Sequence, residues 1–405
     1  MKILLALVLL VWHCGYSAAN DEVELLKTIN IPGNQIDRSG LDQEVEPGIQ
    51  HDVFGGISAL EYTGKDNLYF ALPDRGPKDG AVDWTCRFHV LQIDVLNASP
   101  QKRYSIEKTT LFSGPEGRRF TGLSTIYQQT KSEYSRLDPE GIRIDGQGDM
   151  WVSEEYGPHL LQFSSGGKLQ KHFEVPARFK IENPGPDKKT ENANNDSGRA
   201  GNKGMEGLAI SADGKFLFGL MQSPLLQDCR RNKKGKPIGM NCRLLKMEIE
   251  TGATSEYLYR LDNHKNKLNE ILSIGNEQFL VIERDGEIGS NASFKKIMKI
   301  DLAGATKIDQ LEKLPPEKLP PGINAIKKEV FIDLLDPKFG LAGSDMPEKI
   351  ESLTFGPTLE DGRKQLLVAS DNDFITENPT KIYCFAVGNR RTSSASKDKK
   401  ILTSR

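Results

Sequence analysis

Short apolar runs recur along this chain in pairs, each pair split by a tight turn and followed by polar or charged residues. Five such pairs are visible, at 55–75, 140–155, 206–222, 270–285 and 351–373. Each has a Glu or Gly at its start, then an apolar strand. A turn such as Asp145-Gly146, Asp213-Gly214, Gly275-Asn276 or Asp361-Gly362 precedes a second strand such as Met150-Trp151-Val152 or Leu366-Leu367-Val368. Apolar runs of strand length around Asp-Gly or Gly-Asn turns predict β-hairpins. A hairpin repeated with room for outer strands after it, such as 87–95 and 244–249, is the pattern of a propeller blade. The expected fold is an all-β β-propeller. Six blades are expected, with five or seven left open, because the long first interval could hold a further blade around 119–124.

The ends of the chain have a different character. Met1 and Lys2 lead into an apolar run from Ile3 to Trp12 and small residues at Ser17, Ala18 and Ala19, the arrangement of a secretory signal peptide, with cleavage expected before Asn20. The expected organisation is a signal at 1–19, one propeller domain at 20–389, and a disordered basic tail at 390–405. No later segment approaches the length of a membrane span, so the mature chain is expected to be secreted and soluble. A formal net charge of -2 is too balanced for a nucleic-acid-binding surface. Stretch 184–204, rich in Asn, Asp, Gly, Lys and Pro, reads as a surface loop without enough apolar area to order itself.

Four cysteines remain after the signal, and four allow three pairings. The simplest is Cys229 with Cys242, closing a short basic loop, and Cys86 with Cys384, stapling the first blade to the last; free thiols are the alternative. Asn97, Asn195 and Asn291 open glycosylation triplets, each a weak signal by itself.

The polar residues around the hairpins carry the candidate chemistry. Glu140, Glu206, Glu270 and Glu351 stand at hairpin starts, where a ring of blades would aim them at one another. Carboxylates converging on an axis repel unless a cation, arginines or shared protons balance them, and a hard divalent ion such as calcium is the sharper reading. The blander reading has each glutamate capping backbone N–H groups at a blade corner. Asp74, Arg75 and Arg284 follow hairpins and would orient an anionic substrate; Glu154, Glu155 and His159 would supply acid and base. Solvated loop charges are the ordinary alternative for any one of these. No zinc motif, nucleophile elbow or phosphate-binding loop occurs.

The segments Phe54-Gly55-Gly56-Ile57-Ser58 with Pro73-Asp74-Arg75-Gly76-Pro77, Asp138-Pro139-Glu140-Gly141-Ile142 with Ser153-Glu154-Glu155-Tyr156-Gly157-Pro158, and Asn202-Lys203-Gly204-Met205-Glu206-Gly207-Leu208 with Met221-Gln222-Ser223-Pro224 resemble the phytase-like family, described as having esterase-like activity of phytase. The resemblance runs from about Gly55 to Asp373. It implies a secreted or periplasmic propeller and hydrolysis of phosphate or carboxylate esters. The acidic Asp-x-Asp-Asp-Pro signature of alkaline phytases is absent, so phytate hydrolysis does not carry over. The plan is also similar to that of calcium lactonases, in which a Glu, Asn and Asp set surrounds one axial ion. The expected function is calcium-dependent hydrolysis of a small anionic ester; the alternative is a non-catalytic propeller that binds an extracellular ligand.

Overall fold

The computed structural model describes residues 22–128 and 136–390. The expected signal at 1–19 and the tail from 391 onward lie outside the described residues. The chain forms five four-stranded antiparallel sheets arranged as the blades of a propeller. Blade 1 runs Ile57–Tyr62, Leu68–Pro73, Arg87–Ile93 and Tyr104–Leu111; blade 2 runs Pro139–Ile144, Met150–Glu154, His159–Phe163 and Leu169–Phe173. Blade 3 is Met205–Ile210, Phe216–Met221, Asn241–Glu248 and Thr254–Arg260, and blade 4 is Lys267–Gly275, Gln278–Arg284, Lys295–Asp301 and Lys327–Asp333. Blade 5 takes Lys349–Thr358, Lys364–Asp371 and Thr380–Val387 from the end of the chain and its outermost strand, Val23–Ile31, from the beginning.

Five blades make five interfaces, and each interface is filled by its own apolar cluster. Phe112 of the segment after blade 1 meets Phe163 of blade 2 with ring centroids 4.4 Å apart, and Phe218 of blade 3 meets Phe279 of blade 4 at 4.6 Å. Trp151 and Leu160 of blade 2 pack with Met205 and Leu208 of blade 3, Ile282 and Ile297 of blade 4 with Leu353 and Val368 of blade 5, and Ala369 and Ile382 of blade 5 with Leu60 and Ala71 of blade 1. This explains why the paired runs are apolar on both faces: each hairpin is sandwiched between neighbours. The blade count is five, one of the counts left open beside six. The long first interval is used by single β-bridges, Ser113 with Arg119 and Thr85 with Thr121, and by the short turn Ser124–Gln128.

Ring closure also differs from expectation. The seam is a backbone ladder between Val23–Ile31 and Thr380–Val387, and all four cysteines of the described residues are free thiols. Cys86 lies in the cluster between blades 1 and 2 and Cys384 in the one between blades 5 and 1, so neither faces the other. Burial pushes the Cys229 and Cys384 thiols up to about 12 and the other two well above their ordinary value.

The stretch 184–204 is ordered, contrary to its composition. Asp187 caps the helix Lys188–Asn194 by accepting from the N–H groups of Lys189 and Thr190. Glu191 is buried against Arg199, which approaches both its oxygens at 2.5 and 3.0 Å. A bidentate ion pair supplies the tether that apolar residues do not. The same packing bears on one glycosylation expectation. The Asn195 amide donates to the carbonyls of Asn183 and Glu191 and accepts from two N–H groups, leaving no free nitrogen for a glycan. Asn97 is half-buried with its amide on Asp94, while Asn291 is exposed. When the chain is secreted from a glycosylating host, peptide mapping is expected to find sugar on Asn291 and none on Asn195; occupancy at Asn195 would contradict this packing.

Candidate functional site

The innermost strand of every blade carries a β-bulge near its start, after the first ladder pair in blades 1, 2 and 3 and after the second in blades 4 and 5. The register slips at Ser58 in blade 1, Glu140 in blade 2, Glu206 in blade 3 and Glu351 in blade 5. A bulge bends a strand and re-aims a side chain, and here it turns the bulged residue toward the propeller axis. In blade 4 the slip falls between Leu268 and Ile271. Alignment on Leu268 and Ile271 gives the bulge position to Asn269, with Glu270 one place further on. The first axial ring is therefore Ser58, Glu140, Glu206, Asn269 and Glu351, all buried.

A second ring follows from the partner strands. Asp74, Glu155 and Gln222 donate their N–H groups to the carbonyls of Gly56, Asp138 and Gly204, while Arg284 and Asp371 sit opposite Lys267 and Lys349 in the ladder. These five positions, Asp74, Glu155, Gln222, Arg284 and Asp371, are equivalent, and the three residues Asp138, Lys267 and Lys349 add charge beside them.

Close backbone approach makes this convergence possible. A Cβ on Gly207 would lie 2.5 Å from the carbonyl oxygen of Asn269, so glycine is needed where blades 3 and 4 meet at the axis.

Seven carboxyl groups thus gather at one end of the channel. Arg284 answers Glu351 at 2.6 Å and also donates to Asn269. Lys349 answers Asp371 at 2.7 Å, and Arg75 lies 2.9 Å from Asp138 and 2.7 Å from Asp79. Glu140, Glu155, Glu206 and Asp74 have no basic partner within 4 Å among the described residues. Burial and then Glu206 push the Glu140 carboxyl well above its ordinary value; burial and then Glu155 do the same to Glu206. Burial and then Asp371 raise Asp74, and burial raises Asp138 despite Arg75. Oxygens of Asp138, Glu140 and Glu155 all lie within 4.8 Å of one another, and Glu206 is close enough to Glu140 for each to act on the other's charge.

The other expected site residues separate from this cluster. Glu270 is held by Arg143, whose Nη2 is 3.1 Å from its carboxylate and 2.8 Å from the carbonyl of Ile271, while Nη1 reaches toward Glu61 and the carbonyl of Leu60 in blade 1. Arg143 therefore spans the axis as a plug from blade 2 to blades 1 and 4. Glu154 accepts from the N–H groups of Tyr156 and Gly157 and from His159 at 3.0 Å, and the bond to His159 holds its carboxyl below the ordinary value despite burial. Glu154 and His159 form a corner brace at the end of blade 2, and only Glu155 of that trio joins the axial cluster.

Two cavities open beside the rings. One, of about 660 Å³, is lined by Asp74, Lys267, Lys349 and an apolar wall. The other, of about 210 Å³, is lined by Arg75, Glu155 and Tyr156. Among the described residues Lys267 has no ion pair within 4 Å, and burial followed by Arg284 and Lys203 pushes its ammonium down to about 8.

A propeller whose axial mouth gathers carboxylates beside an open cavity is the setting in which the comparisons fall. Residues 52–374 match the family described as phytase-like, esterase-like activity of phytase, and the chain belongs to this family. An uncharacterized secreted protein of the fungus Arthroderma benhamiae is 25% identical, with 86% of each chain covered. Among solved structures, a protein of unknown function from Dyadobacter fermentans aligns over 91% of this chain and 99% of its own at 10% identity and a TM-score of 0.42. The PQQ-bound aldose sugar dehydrogenase of Streptomyces coelicolor aligns over 91% and 98% at 12% identity and a TM-score of 0.35. Among the described residues no helix is long and apolar enough to cross a membrane.

Proposed function

We propose that this chain is a secreted, calcium-dependent hydrolase of phosphate or carboxylate esters. The observation that carries the reading is the set of buried carboxyl groups at the axis, Glu140, Glu155 and Glu206 without a basic partner among the described residues and Asp138 beside them. An all-oxygen donor set suits a hard divalent cation. Arg75 is close to Asp138 Oδ2, yet that buried oxygen accepts no hydrogen bond, which leaves it a lone pair for an ion.

A cation held there would polarise an ester oxygen and stabilise the charge that develops on it. The protein's own groups would do the rest. The N–H of Gly204 fixes Glu155 at 2.7 Å, and its place in the cavity wall makes it the carboxylate suited to take a proton from an attacking water. Arg75 holds Asp138 rather than the substrate, and Arg284 holds Glu351 and Asn269, so both arginines position ring residues.

Calorimetry with calcium tests the reading. Glu140→Gln and Glu206→Gln are expected to weaken binding on the order of 100-fold, because charge count sets affinity in oxygen sites. Hydrolysis of 4-nitrophenyl phosphate or 4-nitrophenyl acetate should disappear with chelator. Calcium binding without turnover would leave a metal-braced binding propeller, and the absence of both would sink the metal reading.

A further inference from the structure

We infer that the 660 Å³ cavity at the axial mouth takes an amphiphilic ligand with one negative group and an apolar body, and not a polyanion. This deepens the ester-hydrolase reading by naming a ligand class, and rests on that reading only for what is done to the ligand.

The cavity has the volume of a site for a compact organic molecule. One wall is apolar: Ile36, Ile49, Val53, Phe374 and Ile375. Ile36 is 56% and Ile375 43% exposed. Both belong to the small set of large apolar side chains left open to water, and they stand together on this one lip. Val53 and Phe374 are buried beneath them and pack on Trp84, whose ring centroid is 4.9 Å from that of Phe374. The wall is thus firm, and an apolar body laid on it would remove exposed isoleucine surface from water.

The charges on the other side are balanced. Four lysines line the cavity and so do four acidic side chains. Lys78 is taken by Glu46 at 2.7 Å, Lys349 by Asp371 at 2.7 Å, and Lys188 lies 3.7 Å from Asp79. Among the described residues, Lys267 alone of these four has no carboxylate within 4 Å. One uncommitted ammonium answers one anionic group. A ligand with many phosphates would find no surplus of positive charge, and beneath the cavity it would meet the axial carboxylates.

Octanoate is the probe: one carboxylate, one apolar chain, no bond to hydrolyse. Calorimetry on the full mature chain in chelator is expected to show saturable binding. Lys267→Met should weaken it roughly tenfold or more by removing the charge and keeping the stem, as should Ile36→Ser with Ile375→Ser. These positions are at the mouth or surface, and an unchanged melting temperature confirms folding. Octanol and inorganic phosphate should each bind more weakly than octanoate, and inositol hexakisphosphate should not displace it. Displacement by inositol hexakisphosphate, or octanoate binding indifferent to both substitutions, overturns the inference, as does no octanoate binding at all. Because no metal or turnover is needed, calcium-dependent hydrolysis without octanoate binding leaves the hydrolase reading standing. Octanoate binding without calcium binding does the reverse.

Discussion

Calcium is expected to raise the melting temperature of the purified protein by several degrees at pH 8 and by almost nothing at pH 5. Asp74, Asp138, Glu140 and Glu206 are all held above their ordinary values, in each case with burial as the largest cause. A carboxyl whose folded value is raised favours the folded state at low pH and loses that contribution as pH rises through the folded value. In chelator these four groups therefore work against the fold progressively above about pH 5, beyond the ordinary carboxyl range. Bound calcium replaces the lost protons, so its stabilising increment grows with pH. Each unit of displacement corresponds to about 1.4 kcal/mol, and in a chain of this size each kcal/mol moves the melting temperature by about 2 °C. His51 and His89, held down by burial to about 4 and about 3, have the opposite sign over the same range. They contribute equally with and without calcium and cancel in the difference. Differential scanning calorimetry at both pH values, with calcium and with chelator, makes the measurement. Glu140→Gln with Glu206→Gln should raise the melting temperature in chelator at pH 8 and erase the calcium increment. An increment equal at both pH values would mean that the ion binds elsewhere.

Replacing Arg143 with alanine is expected to cost about 3–5 kcal/mol of unfolding free energy at pH 9, where Glu270, whose carboxyl burial pushes up to about 8, is ionised and is left as a buried charge without its partner. Arg143 is 2% exposed, and its guanidinium meets Glu270, Glu61 and the carbonyls of Leu60 and Ile271. Without it the Glu270 carboxylate keeps the N–H groups of Ile271 and Leu208 and loses its counter-charge. Arg143→Met with Glu270→Gln should recover most of the loss, since the amide oxygen of glutamine can still accept both N–H groups. Urea unfolding reads both variants. A loss below about 1 kcal/mol in the single variant would show the plug to be a solvated pair of the kind found on surfaces.

The repeat was legible because its cause is local. A strand sandwiched between blades must be apolar, and a two-strand turn needs Asp-Gly or an equivalent, so all five inner hairpins can be read from the sequence. What could not be read is what depends on register. Glu270 looks like the fourth glutamate of a ring, yet the bulge gives the place to Asn269; aligning Leu268 and Ile271 with Met205 and Leu208 carries that signal. The hairpin ends are legible as a polar set, but which residue of each end enters the second ring is not. Gln222 and Arg284 share no residue type with Asp74, Glu155 and Asp371, and only the ladder shows them equivalent. Pairing Cys86 with Cys384 assumed that the seam needed a covalent staple, whereas eight paired positions from Val23 to Ile31 already close it. Stretch 184–204 looked disordered because composition weighs apolar area, and Arg199 with Glu191 is a polar anchor.

The seam has a consequence for how the chain is made. Val23–Ile31 is made long before its partner Thr380–Val387, with the other four blades between them. At synthesis rates of roughly 5–20 residues per second, the earlier strand waits on the order of 20–70 s with both edges unpaired, since its one ladder partner is still to be made. During that time four blades can assemble behind it while the ring stays open. A strand left waiting invites pairing with a second molecule. Translation pace through the final blade, and any chaperone that shields the leading strand, would then decide how many chains close on themselves and how many exchange ends with a neighbour.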